Sequence, residues 1–437
     1  MPDLAYVFSK LHPIEVILAL LAVAVALGVL ARWLRIPYPI LLVCGGLLLS
    51  LQPWAPNVRL DPQVVFLLFL PPLLYSAAFH TVWRDFRRHL RAISLLAVGL
   101  VVCTATVVAA VAHYWIGMPW AAGFVLGAII SPPDAVAAVA VTKFVRVPRS
   151  VVHILEGESL VNDATALVLL RVAVAAVGAA TFSVAGAAGQ FVLVSAGGVL
   201  VGLVGGCAVI QLHRWLDRRD LADSKLTITI TLLTPFAVYL PAEHLHVSGV
   251  LAAVTAGLWV GNRCERVFTE ELYEEARAVW EWIEFLLNSL IFILIGFQLR
   301  TILNGIGDSY TPPQLVAYSL GVSAAVIVVR LLWMFPGAYL PRVLFRHIRE
   351  REPRPNPRAV FVVGWTGMRG VVSLAAALAI PLTVGGQPFP HRDLIQFLTF
   401  WVIFATLVGQ GLTLPLVIRW LGVSKLAEAE DAAHETP

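Results

Sequence analysis

The chain has 437 residues, 59% of them hydrophobic and 13% charged, with a formal net charge of +4 and a mean hydropathy of +0.83. Soluble domains are about half apolar and roughly a quarter charged. This chain therefore lacks the polar groups to cover a soluble surface. That excludes a soluble enzyme and the collagen-like, coiled-coil and disordered classes, and it leaves an all-α polytopic membrane protein.

Apolar runs follow one another at 14–33, 36–52, 62–80, 92–115, 118–142, 150–177, 186–213, 224–241, 246–262, 281–300, 311–336, 358–382 and 393–419. Such lengths suit helices crossing about 30 Å of hydrocarbon at about 1.5 Å per residue. They do not suit the alternating ten-residue segments of a barrel. Thirteen spans result, the second and ninth being short. The first reads as a span and not as a signal peptide, since no basic segment precedes it and no small-residue cleavage site follows it. Residues 263–280, rich in Glu and carrying Arg266 and Arg277, read as an amphipathic helix on the membrane surface. Residues 1–420 then form one transmembrane unit, and 421–437 a short cytoplasmic tail.

The basic residues test this count. With the N-terminus outside, 24 of the 31 Lys and Arg fall in alternate, cytoplasmic loops. Only Lys10, Arg59, Arg300 and Arg392 fall on the outer side, while Arg171, Arg330 and Arg369 lie inside spans. This bias predicts a multi-pass protein of the cell (inner) membrane, N-terminus out and C-terminus in. It also assigns the basic charge to the cytoplasmic leaflet, so the bilayer is the expected partner and nucleic acid is not. Cys44, Cys103, Cys207 and Cys264 are scattered, with neither metal-ligand nor disulfide spacing, and read as small apolar residues.

Ionisable groups deep in a bundle are costly and mark function. Span five carries Asp134, span six Glu156, Glu158 and Asp163, and span twelve Arg369. Counted from the cytoplasmic ends, Asp134, Asp163 and Arg369 lie roughly 13–20 Å deep, with Glu156 shallower. Ser159 and Asp163 are four apart, as are Glu158 and Asn162, so these pairs line one helical stripe. A hydroxyl, an amide and two carboxylates are hard oxygen ligands suited to Na⁺, Li⁺ or a proton, and not to zinc.

Spans five and twelve share a second oddity. Ser131-Pro132-Pro133 precedes Asp134, and Gly364, Gly367 and Gly370 surround Arg369. Pro and Gly weaken or break helices, and broken backbone at membrane depth occurs only where protein or a cavity surrounds it. The two spans lie seven apart and so cross in opposite senses. Paired interrupted helices in inverted positions point to the substrate site of an inverted-repeat secondary transporter, with spans 4–6 repeated as spans 11–13.

At these residues the chain resembles the sodium/proton exchanger superfamily, in particular its NhaP-like electroneutral bacterial branch. The matching pieces are SPPDAVAAVAV, EGESLVNDATALV and GWTGMRGVVSL, together with SGVLAAVTAGLWVGN and WEWIEFLLNSLIFILIGFQL. The resemblance covers nearly the whole chain. It implies a thirteen-span homodimer with an antiporter fold, in which unwound spans five and twelve cross. It implies further that Asp163, preceded by Asn162, holds the cation or proton, with Asp134, Ser159 and Glu158 in the same site. A monovalent cation is expected at Asp163, Asp134 and Ser159, and an ion pair between Glu158 and Arg369. Many members place Pro after the first Asp, whereas here Pro133 precedes Asp134 and Ala135 follows.

The expected activity is exchange of a monovalent cation, Na⁺ foremost and Li⁺ or K⁺ as alternatives, for H⁺. One buried carboxylate binds either in turn, and alternating access carries the loaded site across. Asn162 in place of a second Asp leaves one fewer titrating group and favours one cation per proton. Apart from the transported ions, no cofactor is expected, and no enzymatic activity. Arg171 and Arg330 find no assigned partner, Glu284 and Asn288 sit where they can line a cytoplasmic funnel, and His153 stands at the cytoplasmic start of span six. Two rivals are an intramembrane serine protease, from the short Gly157-Glu158-Ser159-Leu160 match, and a cation channel.

Overall fold

Inside a bilayer every backbone N–H and C=O needs an internal partner, so a chain of this composition can answer only with helices. The computed structural model describes residues 13–53, 60–142, 145–178, 183–221, 223–264, 268–307, 309–351 and 354–425. The helices are α1 Pro13–Leu34, α2 Tyr38–Ser50, α3 Pro62–Phe79 and α4 Trp83–Ile116. Then come α5 Trp120–Ile130, α6 Ala135–Thr142, α7 Arg149–Gly178 and α8 Val184–Asp217. Next are α9 Ser224–His244, α10 Gly249–Cys264, α11 Glu270–Ile306 and α12 Pro312–Leu344. The chain continues through a short α13 Arg346–Arg351, α14 Pro357–Trp365 and α15 Val371–Leu378. A two-residue hairpin pairs β1 Thr383–Val384 with β2 Gln387–Pro388, and α16 Arg392–Leu421 follows.

The apolar runs map onto these units in order. Ten helices among the described residues are long and apolar enough to cross a membrane. Tyr38–Ser50, Gly249–Cys264 and the broken pair α14/α15 are shorter. The predicted interruptions are present: residues 131–134 between α5 and α6 and residues 366–370 between α14 and α15 are not helical.

The segment expected to be a separate surface helix over 263–280 is not one. Residues 263–264 end α10, 265–267 lie outside the described residues, and 270–280 are the first turns of the 37-residue α11. No Pro interrupts 270–306, and Ala276 and Trp280 are buried, which ties these turns into the bundle. Trp280 packs against Tyr75 of α3 with ring centroids 5.6 Å apart. Most of the tail, 426–437, also lies outside the described residues.

Two bodies share the bundle. One apolar core joins α4, α5, α7, α12, α14, α15 and α16, with α2 and α11 against it. A second joins α3, α8, α9 and α10, and a smaller cluster packs Leu160 and Ala164 of α7 and Phe86 and Ile93 of α4 against α3, α9 and α10 where the two meet. Between lipid-like helices there is little hydrophobic drive, so close backbone approach matters. Gly198, Gly202 and Gly206, four apart on α8, face Ser248, just before α10, and Ala252 and Ala256 within it. At Gly202 an added side chain would run into the Ala252 backbone and Thr255. Gly202→Leu is therefore expected to cost about 1–3 kcal/mol by overpacking. Thermal unfolding in detergent, which should shift down while the protein still inserts, checks this.

Candidate functional site

The site begins with the two gaps. A helix that stops inside the membrane leaves unpaired N–H groups at one broken end and unpaired carbonyls at the other. Here the gaps satisfy each other. The Asp134 N–H donates to the Met368 carbonyl at 2.7 Å, joining the two broken spans directly. Arg369 donates through Nε to the Ile130 carbonyl at 3.0 Å and through Nη1 to the Gly367 carbonyl. Ile130 is the last residue of α5, so a cation sits where the helix dipole is negative. The Arg369 N–H donates to Thr406 Oγ1 at 3.0 Å, from a π-helical turn, Ala405–Gln410, in α16.

The unbroken α7 lies across this crossing and supplies the rest. Ala135 N–H donates to Ser159 Oγ at 3.3 Å, and Asn162 Nδ2 donates to the Pro133 carbonyl at 3.0 Å. Asp134 Oδ1 accepts from Val136 N–H at 2.8 Å, as a helix N-cap does. Asp134 Oδ2 lies so close to the Gly370 Cα that any side chain there would collide with it. Asp163 is 6% exposed and near enough to Asp134 for the two charges to interact. The buried Oδ1 of the neighbouring Asn162 has no hydrogen-bond partner among the described residues. The hydroxyl, amide oxygen and carboxylates of the stripe thus converge where the broken helices meet. The donor set is all oxygen, which fits a hard monovalent cation as cargo.

The predicted Glu158–Arg369 pair is corrected. Glu158 is held instead by Arg330 of α12, with Nη1 on Oε1 at 2.5 Å and Nη2 on Oε2 at 2.9 Å. Both side chains are 1% exposed, and Arg330 Nη2 also donates to the Val363 carbonyl at 3.1 Å. The reason is local. Arg369 stands on the broken segment itself, where open carbonyls take its guanidinium. Arg330 stands on an intact helix opposite α7 and presents its planar fork to the carboxylate. A small cavity of about 10 Å³ beside the pair is lined by Pro133, Asp134, Glu158, Arg330 and Thr366 among others.

Other predicted residues fall outside this centre. Glu156 is half-buried one turn earlier on α7. His153 faces Asp85 of α4 at 3.9 Å. Asn288 is buried and Glu284 half-buried on α11. Arg171 pairs with Glu243 of α9 at 2.8 Å. The protease match finds no nucleophile–base geometry, since Ser159 Oγ is taken by Ala135 N–H. His80 and His113 rest on the Ser76 and Met118 carbonyls.

The transmembrane domain model of sodium/hydrogen exchangers matches residues 17–420. The chain belongs to the sodium/hydrogen exchanger family. It is 39% identical over 422 residues to an Na⁺/H⁺ exchanger of Mycobacterium tuberculosis, covering 96% of this chain and 76% of that one. It is 35% identical over 409 residues to a sodium, potassium, lithium and rubidium/H⁺ antiporter of Bacillus pumilus, covering 92% and 60% respectively. The fold resembles that of the sodium proton antiporter MjNhaP1 from Methanocaldococcus jannaschii at pH 8, with a TM-score of 0.70 and 19% identity over 94% of this chain and 98% of that one. The exchanger is thus a multi-pass membrane transporter with an all-α antiporter fold.

Breaking the buried Arg330–Glu158 pair from one side leaves an uncompensated charge, which costs about 3–5 kcal/mol. Arg330→Met is expected to lower stability by that order, and Arg330→Met with Glu158→Leu to recover much of it. Thermal unfolding of the purified variants checks both.

Proposed function

We propose that this exchanger swaps one monovalent cation for one proton at Asp163, with Asp134, Ser159 and Asn162 completing the oxygen set. The observation that carries this reading is the charge inventory of the crossing. Three carboxylates (Asp134, Glu158, Asp163) and two guanidiniums (Arg330, Arg369) gather there, all of them buried except the half-buried Asp134. Glu158 is neutralised by its fork of Arg330 donors, and Asp134 is held by the Val136 backbone donor. With all five groups ionised the cluster carries one net negative charge.

An uncompensated charge at membrane depth is expensive. One cation or one proton neutralises the cluster; both together would leave a surplus. The empty cluster resists crossing, and either loaded form crosses with the same total charge. Competition for one position couples the two fluxes, and equal charge in both directions makes the exchange electroneutral. Alternating access then requires the body carrying α7 and the crossing to move against the body built on α3 and α8–α10.

The cargo is a cation of the alkali series, sodium foremost, with Li⁺ and K⁺ as further substrates. The relative from Bacillus pumilus, named for four alkali cations, supports that breadth. The orientation places the Arg-rich loops in the cytoplasm and the N-terminus outside, in the inner membrane of a cell, and the assembly is a homodimer. The core bundle of spans 4–6 and 11–13 lies within residues 1–420, with 421–437 as the tail.

Proteoliposomes loaded with a pH-sensitive dye test this. Sodium-driven proton release is expected, unaltered by a membrane potential imposed without an alkali-cation gradient; a rate that follows the potential overturns the one-to-one stoichiometry. Asp163→Asn should abolish the flux while preserving thermal stability, and retained flux overturns the central assignment. Gly370→Ala should displace the Asp134 carboxylate and reduce exchange at least tenfold, read in the same assay.

A further inference from the structure

The cleft between α7, α8 and α9, opposite the Arg-rich loops, holds an ion pair that the site does not use. Arg171 Nη2 donates to both Glu243 oxygens, each at 2.8 Å. Glu243 Oε1 also accepts from Gly249 N–H at 3.1 Å, which fixes it at the start of α10. The pair therefore ties two bodies together. Glu243 belongs to the body of α3 and α8–α10, while Arg171 rides on α7, eight residues and about 12 Å beyond Asp163.

The two side chains are 44% and 31% exposed and border a cavity of about 380 Å³ lined also by Val168, Val172, Gln190 and His246. The contrast with Arg330–Glu158 is informative. That pair is 1% exposed, lies within one body and is costly to separate. The Arg171–Glu243 pair borders that cavity instead, and pairs within reach of water are weak and readily exchanged for it. The adjoining cavity gives both heads room to part. A contact that must break in every transport cycle needs these properties.

We propose that Arg171 and Glu243 are a positioning pair for the transport step, joined in the conformation seen here and parted in the alternate one. The proposal rests on the exchanger reading. It makes the pair a bias on the equilibrium between the two conformations, so its loss raises cation affinity from one face and lowers it from the other.

The test measures apparent cation KM from each face in oriented proteoliposomes. The chains compared are unmodified, Arg171→Gln, Glu243→Gln, and the swap Arg171→Glu with Glu243→Arg. Each single variant should shift the two KM values in opposite senses by about two- to fivefold, the range expected for an exposed pair, and the swap should restore them. Unchanged values, shifts in the same sense, or no restoration by the swap overturn the pairing role. A merely structural pair would change thermal stability without this sidedness.

Hydrogen exchange on the unmodified chain gives a readout that no variant's folding can obscure. Residues 168–178 and 240–249 should gain and lose protection together as Na⁺ is titrated; independent behaviour overturns the proposal. Absence of exchange by the unmodified chain rejects the exchanger reading itself, whereas active variants with unmoved KM values reject the pair alone.

Discussion

The structure depends on one constraint, that two helices stop in the middle of a membrane and their backbone groups must still be satisfied. Water cannot do it there, and lipid cannot do it anywhere. The solution is to bring both gaps to one point. The Asp134–Met368 backbone bond pins the gaps together, Arg369 closes the carbonyl end of α5, and α7 supplies Ser159 and Asn162 for what is left. Residues that would otherwise be classed as ligands are thus first of all partners for broken backbone. The proposed ion site consists of the polar atoms left over once the backbone has been paired.

The same constraint sorts the charges. Each guanidinium goes to the acceptors within its reach. Arg369, inside a gap, takes carbonyls, and Arg330, on an intact helix, takes a carboxylate. Each use removes a penalty that burial would otherwise impose. What remains is Asp163, 6% exposed, beside a buried amide oxygen that has no partner among the described residues. On the proposed reading, a proton or a cation at Asp163 balances the charge that the two guanidiniums leave over.

Much of this was legible in the chain. Pro132-Pro133 and the glycines at 364, 367 and 370 marked both interruptions, because their effect on a helix is local. The stripe of Glu158, Ser159, Asn162 and Asp163 was readable from helical spacing for the same reason. The partner of Glu158 was not. Position along a span gives depth, and Arg330 and Arg369 are both placed deep, but the choice between them depends on how each helix is rotated about its axis. One signal pointed the right way: a guanidinium amid Gly-rich broken backbone has carbonyls at hand. The merging of 270–280 into α11 was hidden differently, since its acidic residues suggested a surface while Ala276 and Trp280 took it inward. The Arg171–Glu243 contact, 72 residues apart in sequence, had no local signature at all.

Asn162 shows how structure and transport share one side chain. Its Nδ2 holds the Pro133 carbonyl, a free end of the first gap; only its Oδ1 remains for an ion. A carboxylate in its place would offer another oxygen to the cation, yet it would lose the donor and press a negative charge against that carbonyl. It would also take the cluster from one net negative charge to two, so that a single cation or proton no longer neutralised it. The amide is therefore not a weaker carboxylate. It keeps the gap closed on one side, and on the proposed reading it offers a neutral ligand on the other and leaves Asp163 as the one charge that each passing ion must balance.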